Sequence, residues 1–183
     1  TSAPSRPERG LGAGSAASDR GEGMPPGRLR STVSGMVTGE ITVGPLDDDD
    51  RGDWEALFRA YIDFYDTLLH QEAYDRAWAE FRSDVRMHAL GAWQGGRLVG
   101  ITHFFVHPDT WGPDVCYLQD LFTAPDARGQ GVGRTLINEV AEWARVEGCA
   151  HVYWQTREDN ATARRLYDEV AAFEGFLVYR MPL

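Results

Sequence analysis

"TAPDARGQGVGRTLINEVAEWA", residues 123–144, sets Gly129, Gly131 and Gly133 at alternate positions between an apolar, strand-like run and a helical one. Bare backbone at the mouth of a helix has a physical use. The first N–H groups of a helix lack intrahelical partners, the helix dipole adds to their positive potential, and missing Cβ atoms let an anion come close. The same glycines would also permit tight packing of helix on strand, and spacing alone does not choose between the two. Two nucleotide-binding motifs fail here. A Walker A loop needs Gly at position 128 and Lys at 134, but Arg128 and Arg134 stand there. A dinucleotide fingerprint needs GxGxxG in the first βαβ unit, whereas these glycines are two apart and lie late in the chain.

Outward from the loop the pattern is regular. "EITVGPL" alternates as a strand, and four aspartates, Asp47 to Asp50, stand at the start of the helical "WEALFRAYIDFYDTLL", where they complement a helix N-terminus better than they make a metal site. "AYDRAWAEFRS" is a second helix. "VRMHALGAWQGGRLVGITHFFVH" reads as two antiparallel strands joined at Gly95-Gly96. "DVCYLQDLFTA" is a strand, "VGRTLINEVAEWARVEG" a helix ended by Gly148, "AHVYWQT" a strand, "NATARRLYDEVAAF" a helix and "FLVYR" a last strand. The predicted order is strand, helix, helix, three strands, helix, strand, helix, strand, an α/β fold with a mixed, mostly antiparallel sheet.

Residues 1–37, rich in Gly, Ser, Ala, Pro and Arg without apolar periodicity, are expected to be a disordered tail ahead of a domain over 38–183. The tail carries Arg6, Arg9, Arg20, Arg28 and Arg30 against Glu8, Asp19 and Glu22, so the −10 of the whole chain becomes −12 on the domain. Phosphate neutralisation needs a basic face, which argues against nucleic acid and leaves cationic substrates open. All 18 basic residues are arginines, excluding a lysine Schiff base. Cys116 and Cys149 form no CxxC pair. No signal sequence or membrane-spanning run is indicated, so a cytoplasmic location is expected and no membrane partner.

The stretch "RGQGVG" resembles the Q/R-x-x-G-x-G/A pyrophosphate loop of the GNAT acetyltransferases. "YLQDLFTAPDA" resembles the strand leading into that loop, "NATARRLY" the family's Asn-x-x-Ala-x-x-x-Tyr segment, and "GFLVYR" its closing strand. "WEALFRAYIDFYD", "ITHFFVH" with the nearby "TW", "YLQDL" and "VYWQT" are most similar to the fungal histone and polyamine acetyltransferase branch and its D-amino-acid acetyltransferase relative. The likeness implies the GNAT fold over the domain but not the tail.

It also implies a chemistry: acetyl-CoA as co-substrate, no metal, and acetyl transfer to an amine by direct attack in a ternary complex. By resemblance, backbone N–H groups of Arg128, Gly129, Gln130, Gly131, Val132, Gly133 and Arg134 hold the pyrophosphate, and Arg128 and Arg134 add charge. Leu121, Phe122 and Thr123 offer backbone hydrogen bonds to pantetheine and the acetyl carbonyl. Asn160 helps bind pantetheine or caps the following helix. Tyr167 matches the tyrosine that protonates the CoA thiolate, a role suited to a phenol with a pKa near ~10.

The base stays open. Gln119 stands where polyamine acetyltransferases carry a glutamate thought to act through water, and an amide cannot take a full proton at neutral pH. Asp120 beside it is expected to have a cationic partner, from substrate or protein, because an unpaired buried carboxylate is costly. His103 is a second candidate base by its intrinsic pKa. Tyr65 and Asp66 resemble the part of the fold that lines the acceptor site. The acceptor expected is a small primary amine, a polyamine or an amino-acid-like molecule. A protein lysine or N-terminal acetyltransferase and a non-catalytic acyl-CoA-binding module are the alternatives. A homodimer is expected, as in the branch resembled.

Overall fold

The computed structural model describes residues 31–33 and 40–183. One six-stranded sheet runs in chain order: β1 (Ser31–Val33), β2 (Ile41–Pro45), β3 (His88–Gln94), β4 (Arg97–His107), β5 (Val115–Thr123) and β6 (Val152–Tyr153). Each of the first five pairs antiparallel with its neighbours, while β6 lies parallel to β5. The helices are α1 (Arg51–Phe64), α2 (Gln71–Ser83), α3 (Val132–Val146) and α4 (Ala161–Val170). This is the mixed, mostly antiparallel α/β architecture expected from the pattern.

The sheet separates two cores. On one face Trp54 and Phe58 of α1 and Tyr74 and Phe81 of α2 pack with Trp93, Leu98, Ile101 and Phe122. On the other, Val132, Leu136, Val140 and Trp143 of α3 pack with Val43, Val99, Phe104, Cys116 and Leu118, with Leu166 and Tyr167 of α4 at the margin. A Cβ on Gly100 would lie 2.6 Å from Val132 Cγ1, so only glycine lets the start of α3 settle this close to β4.

Local chemistry explains the connections. Gly95 and Gly96 have φ of +58° and +79°, the two left-handed residues a tight β3–β4 hairpin requires. Asp47 accepts a hydrogen bond from the Asp49 N–H at 3.1 Å and opens a short 3₁₀ turn before α1, the capping role expected of the aspartate run. Glu55 of α1 takes both Arg51 and Arg59, and Arg51 reaches Asp75 of α2 at 2.7 Å. Burial works against the Glu55 charge, yet hydrogen bonds from Arg59, Gln71 and Arg51 hold its carboxyl below the usual range. This clamp fixes α1 and α2 relative to each other.

The structure departs from expectation in three places. Ser31–Val33 pairs with Ile41–Val43 although it falls in the stretch expected to be a disordered tail; the rest of that stretch lies outside the described residues. The strand expected from "AHVYWQT" is only Val152–Tyr153, paired with Cys116 and Tyr117. The last expected strand is absent: residues 171–183 carry neither helix nor strand. A strand needs a neighbour for its N–H and C=O groups, and β6 leaves the sheet too soon to offer an outer edge of useful length.

Candidate active site

Two of the loop glycines are required by conformation, and the third sits close against Leu166. Gly129 and Gly131 have φ of +74° and +90°, and a Cβ at either would meet nothing within 4 Å. Gly133 has no positive φ, but its Cβ would lie 3.3 Å from Leu166 Cδ2 and 3.7 Å from Thr123 Oγ1. Gly131 caps α3, whose first turn holds no acidic residue to compete for an anion. Gln130 fastens the loop, accepting from Gln94 Nε2 at 2.9 Å and donating to the Asp126 carbonyl at 3.0 Å. An open left-handed turn feeding a helix N-terminus, unobstructed and fixed from behind, fits a pyrophosphate.

Beyond the loop the sheet opens. β6 pairs only with Cys116 and Tyr117, so among the described residues no strand pairs with the β6-facing edge of β5 from Leu118 to Thr123. That edge includes Leu121, Phe122 and Thr123, to which the resemblance gives the pantetheine contacts. Arg128 closes its end, donating from Nε to the Thr123 carbonyl at 3.3 Å and standing over the Phe122 ring at 5.8 Å.

A β-bulge decides where Asp120 points. His103 of β4 pairs with Asp120 and Phe104 pairs with Leu118, which leaves Gln119 as the extra residue of β5. Alternation would put Leu118, Asp120 and Phe122 on one face. The bulge instead leaves Leu118 in the α3 core and turns Phe122, with Asp120, to the α1 face. The Thr102 hydroxyl donates to the Asp120 carbonyl at 2.9 Å and fixes the backbone there. Asp120 Oδ2 lies 2.9 Å from His103 Nδ1, with 17% of the aspartate side chain and 1% of the histidine side chain exposed.

Tyrosines connect this carboxylate to α4. Burial first, then the Asp120 charge and the Tyr65 and Asp120 hydrogen bonds, push the Tyr61 phenol far above its ordinary range. The Tyr61 and Tyr65 rings, one helical turn apart on α1, stand edge to face at 5.1 Å. Tyr167 packs edge to face on Trp154 at 5.3 Å; burial, with a smaller push from Tyr65, raises its pKa to about 12. Tyr167 therefore keeps its proton over the whole neutral and mildly alkaline range.

The loop, the open strand edge and the carboxylate follow one another along β5 and into α3, and Tyr65 acts on both Tyr61, beside Asp120, and Tyr167. The acetyltransferase (GNAT) family pattern matches residues 54–173. The chain belongs to that family. This acetyltransferase is 31% identical over 150 residues to the D-amino-acid N-acetyltransferase of Saccharomyces cerevisiae, covering 79% of this chain and 92% of the yeast protein. It is 30% identical over 110 residues to a thialysine N-epsilon-acetyltransferase of Caenorhabditis elegans, 56% of this chain and 69% of the nematode protein. Its fold matches AAC(6')-Iy, solved with the bisubstrate analogue CoA-S-monomethyl-acetylneamine, at a TM-score of 0.66 and 19% identity, covering 78% of this chain and 99% of that one.

Not every residue singled out from the acetyltransferase sequence lands where expected. Arg134 is ion-paired with Glu169 of α4 rather than free for the loop. Asn160 caps α4, accepting from the Ala163 N–H at 3.4 Å, and also donates to Thr156 Oγ1 at 3.3 Å. Gln119 is exposed at the bulge. Tyr65 ends α1 beside Tyr61, whereas Asp66 sits exposed in the left-handed turn that follows, at φ 51°. Asp120 has His103 at 2.9 Å, and among the described residues no arginine pairs with it. His103 is fully buried and cannot meet an acceptor directly, which corrects its reading as a base. Tyr61 and Trp54 were missed as site residues. Their signal was the aromatic stripe Trp54, Phe58, Tyr61, Tyr65, which has helical spacing and also reads as ordinary core.

Proposed function

We propose that this enzyme transfers the acetyl group of acetyl-CoA to the primary amine of a small cationic acceptor, a polyamine or an amino-acid-like molecule, by direct attack in a ternary complex. The observation that carries this reading is Asp120: a partly exposed carboxylate, aimed by the bulge, with His103 behind it and no arginine paired with it among the described residues. A protonated amine supplies the missing charge. The relatives' names, D-amino-acid and thialysine acetyltransferases, support an amine acceptor of this size.

The residues then divide the work. Backbone N–H groups of Arg128 to Arg134 hold the donor's pyrophosphate, and the open edge Leu121–Thr123 holds its pantetheine. Asp120 binds the ammonium and takes its proton, directly or through water. When bound, the donor supplies a thioester carbonyl for the freed amine to attack. Tyr167, with its proton retained to about pH 12, gives that proton to the departing sulfur.

Thiol release measured across a panel of polyamines, amino acids and peptides tests the proposal. Turnover with small amines is expected; turnover with peptides alone would replace it with a protein acetyltransferase, and CoA binding without turnover would leave a binding module. The association we propose is a homodimer. Its support is the run Phe173, Phe176, Leu177, Val178, Tyr179 and Met181, all exposed in the single chain. Sedimentation velocity at micromolar concentration checks it, and a monomeric mass refutes it.

A further inference from the structure

The Asp120 side chain is the end of a hydrogen-bonded line that begins on α1. Trp54 Nε1 lies 2.9 Å from His103 Nε2, and His103 Nδ1 lies 2.9 Å from Asp120 Oδ2. An indole N–H can only donate, so Nε2 of His103 must present its lone pair. The ring's one proton is then on Nδ1 and is donated to Asp120. Trp54 selects the tautomer, and the tautomer holds the carboxylate.

The packing leaves the imidazole no other arrangement. Trp54 and His103 are both 0% exposed. Phe81 stacks on the His103 ring at 4.3 Å, and Phe58 meets it edge-on at 4.9 Å. A second proton on Nε2 would face the indole N–H, donor against donor, in a site with no water-exposed surface. Among the described residues the charged and titratable groups facing this line are the Asp120 carboxylate, with Tyr61 of α1, Tyr65 at its end and Tyr117 of β5 around it, Arg180, whose charge reaches Tyr117, and the Arg51 guanidinium 5.0 Å above Trp54. Arg51 is itself neutralised by Glu55 and Asp75.

We infer that His103, fixed as the Nδ1–H tautomer by Trp54, is a positioning residue for acceptor-amine binding and deprotonation. It orients Asp120 with a neutral donor, so the carboxylate is held in place without a rival cation. A histidine free to protonate would compete with the substrate ammonium for the same charge. The tryptophan prevents that competition and keeps the pocket's negative charge for the acceptor. This inference rests on the reading of Asp120 as the acceptor-side carboxylate.

Four variants, each checked for folding by thermal unfolding, test it. His103→Leu removes the donor and should lower kcat/KM for the amine about ten- to hundredfold, the usual weight of one hydrogen bond to a charged group, with the KM for acetyl-CoA unchanged. His103→Asn can place an amide N–H near Nδ1 and should recover most of that loss. Trp54→Phe frees Nε2 to take a second proton, so the amine kcat/KM should fall on acidification more steeply than the parent's does. Equal activity of the Leu and Asn variants, or a Trp54→Phe profile identical to the parent's, overturns the inference. If His103→Leu does not fold, the Trp54→Phe profile decides alone. Asp120→Asn separates the two levels: full amine turnover in that variant defeats the reading of Asp120, whereas an inactive Asp120→Asn beside an active His103→Leu defeats only the role of His103.

Discussion

The loop at Arg128–Arg134 and the cluster around Asp120 are neighbours joined by Leu121–Thr123, yet they are made of different material. The loop is contiguous backbone, shaped by two left-handed glycines and a helix start. The cluster is side chains gathered from α1, β4 and β5, and it exists only because a bulge turns one carboxylate to the α1 face. In the proposed function the loop serves the donor and the cluster the acceptor. That division of labour should be visible as two separable sets of kinetic effects.

The largest effect is expected at Asp120. Asp120→Asn keeps the shape and removes the charge and the basic lone pair, so kcat/KM for the amine should fall by about 10² to 10⁴, with the KM for acetyl-CoA unchanged. Steady-state kinetics with each substrate varied in turn checks this. A comparable rise in the donor KM would break the division. Tyr167→Phe comes next, with kcat lowered by about 10². Because burial favours the neutral phenol, wild-type activity dependent on this acid persists above the ordinary phenol pKa near ~10 and is lost only as pH rises through about 12. A stopped-flow pH profile that falls off near pH 10 in the wild type would deny Tyr167 the role.

Gly131→Ala moves the comparison to the donor side. An L side chain at φ +90° has nothing to strike, so the cost is conformational, about 1 to 2 kcal/mol; a free loop that relaxes to escape it must regain the turn on binding, which raises the Kd for CoA by up to roughly five- to thirtyfold. Calorimetric titration with CoA reads it, and the amine KM should stay put. A Kd unchanged within error, with a lowered melting temperature, would mean that the free loop keeps the same left-handed turn as the bound one.

The same contrast explains what could be read from the sequence. The loop, the hairpin at Gly95-Gly96 and the helices follow from local chemistry: glycine where φ is positive, apolar residues at helical spacing, caps at the ends. The orientation of Asp120 does not, because a bulge at Gln119 reverses side-chain parity and no local pattern in "YLQDLF" announces it. The burial of His103 was equally hidden. Histidine on a strand carries no sign of which helix will cover it, and here Trp54 stands 49 positions away in the chain. The last strand failed for a third reason: "FLVYR" has strand composition, but pairing also needs a partner edge that β6 does not extend far enough to give.

The smallest effect is the sharpest test of how the loop divides its glycines. Gly133→Ala puts a Cβ 3.3 Å from Leu166 Cδ2, the tip of a flexible side chain that can yield by a few tenths of an ångström. Its φ is not positive, so alanine meets no backbone strain, and in the first turn of α3 it should regain part of the about 1 kcal/mol by which alanine exceeds glycine in helices. The two terms oppose each other. Melting temperature and CoA affinity should therefore stay close to the parent's, with a change in Kd below about threefold. If Gly133→Ala instead weakens CoA as much as Gly131→Ala does, the contact with Leu166 is too mild to account for it. The anion itself must then approach Gly133 more closely than any Cβ allows, which would make its bare backbone part of the donor contact.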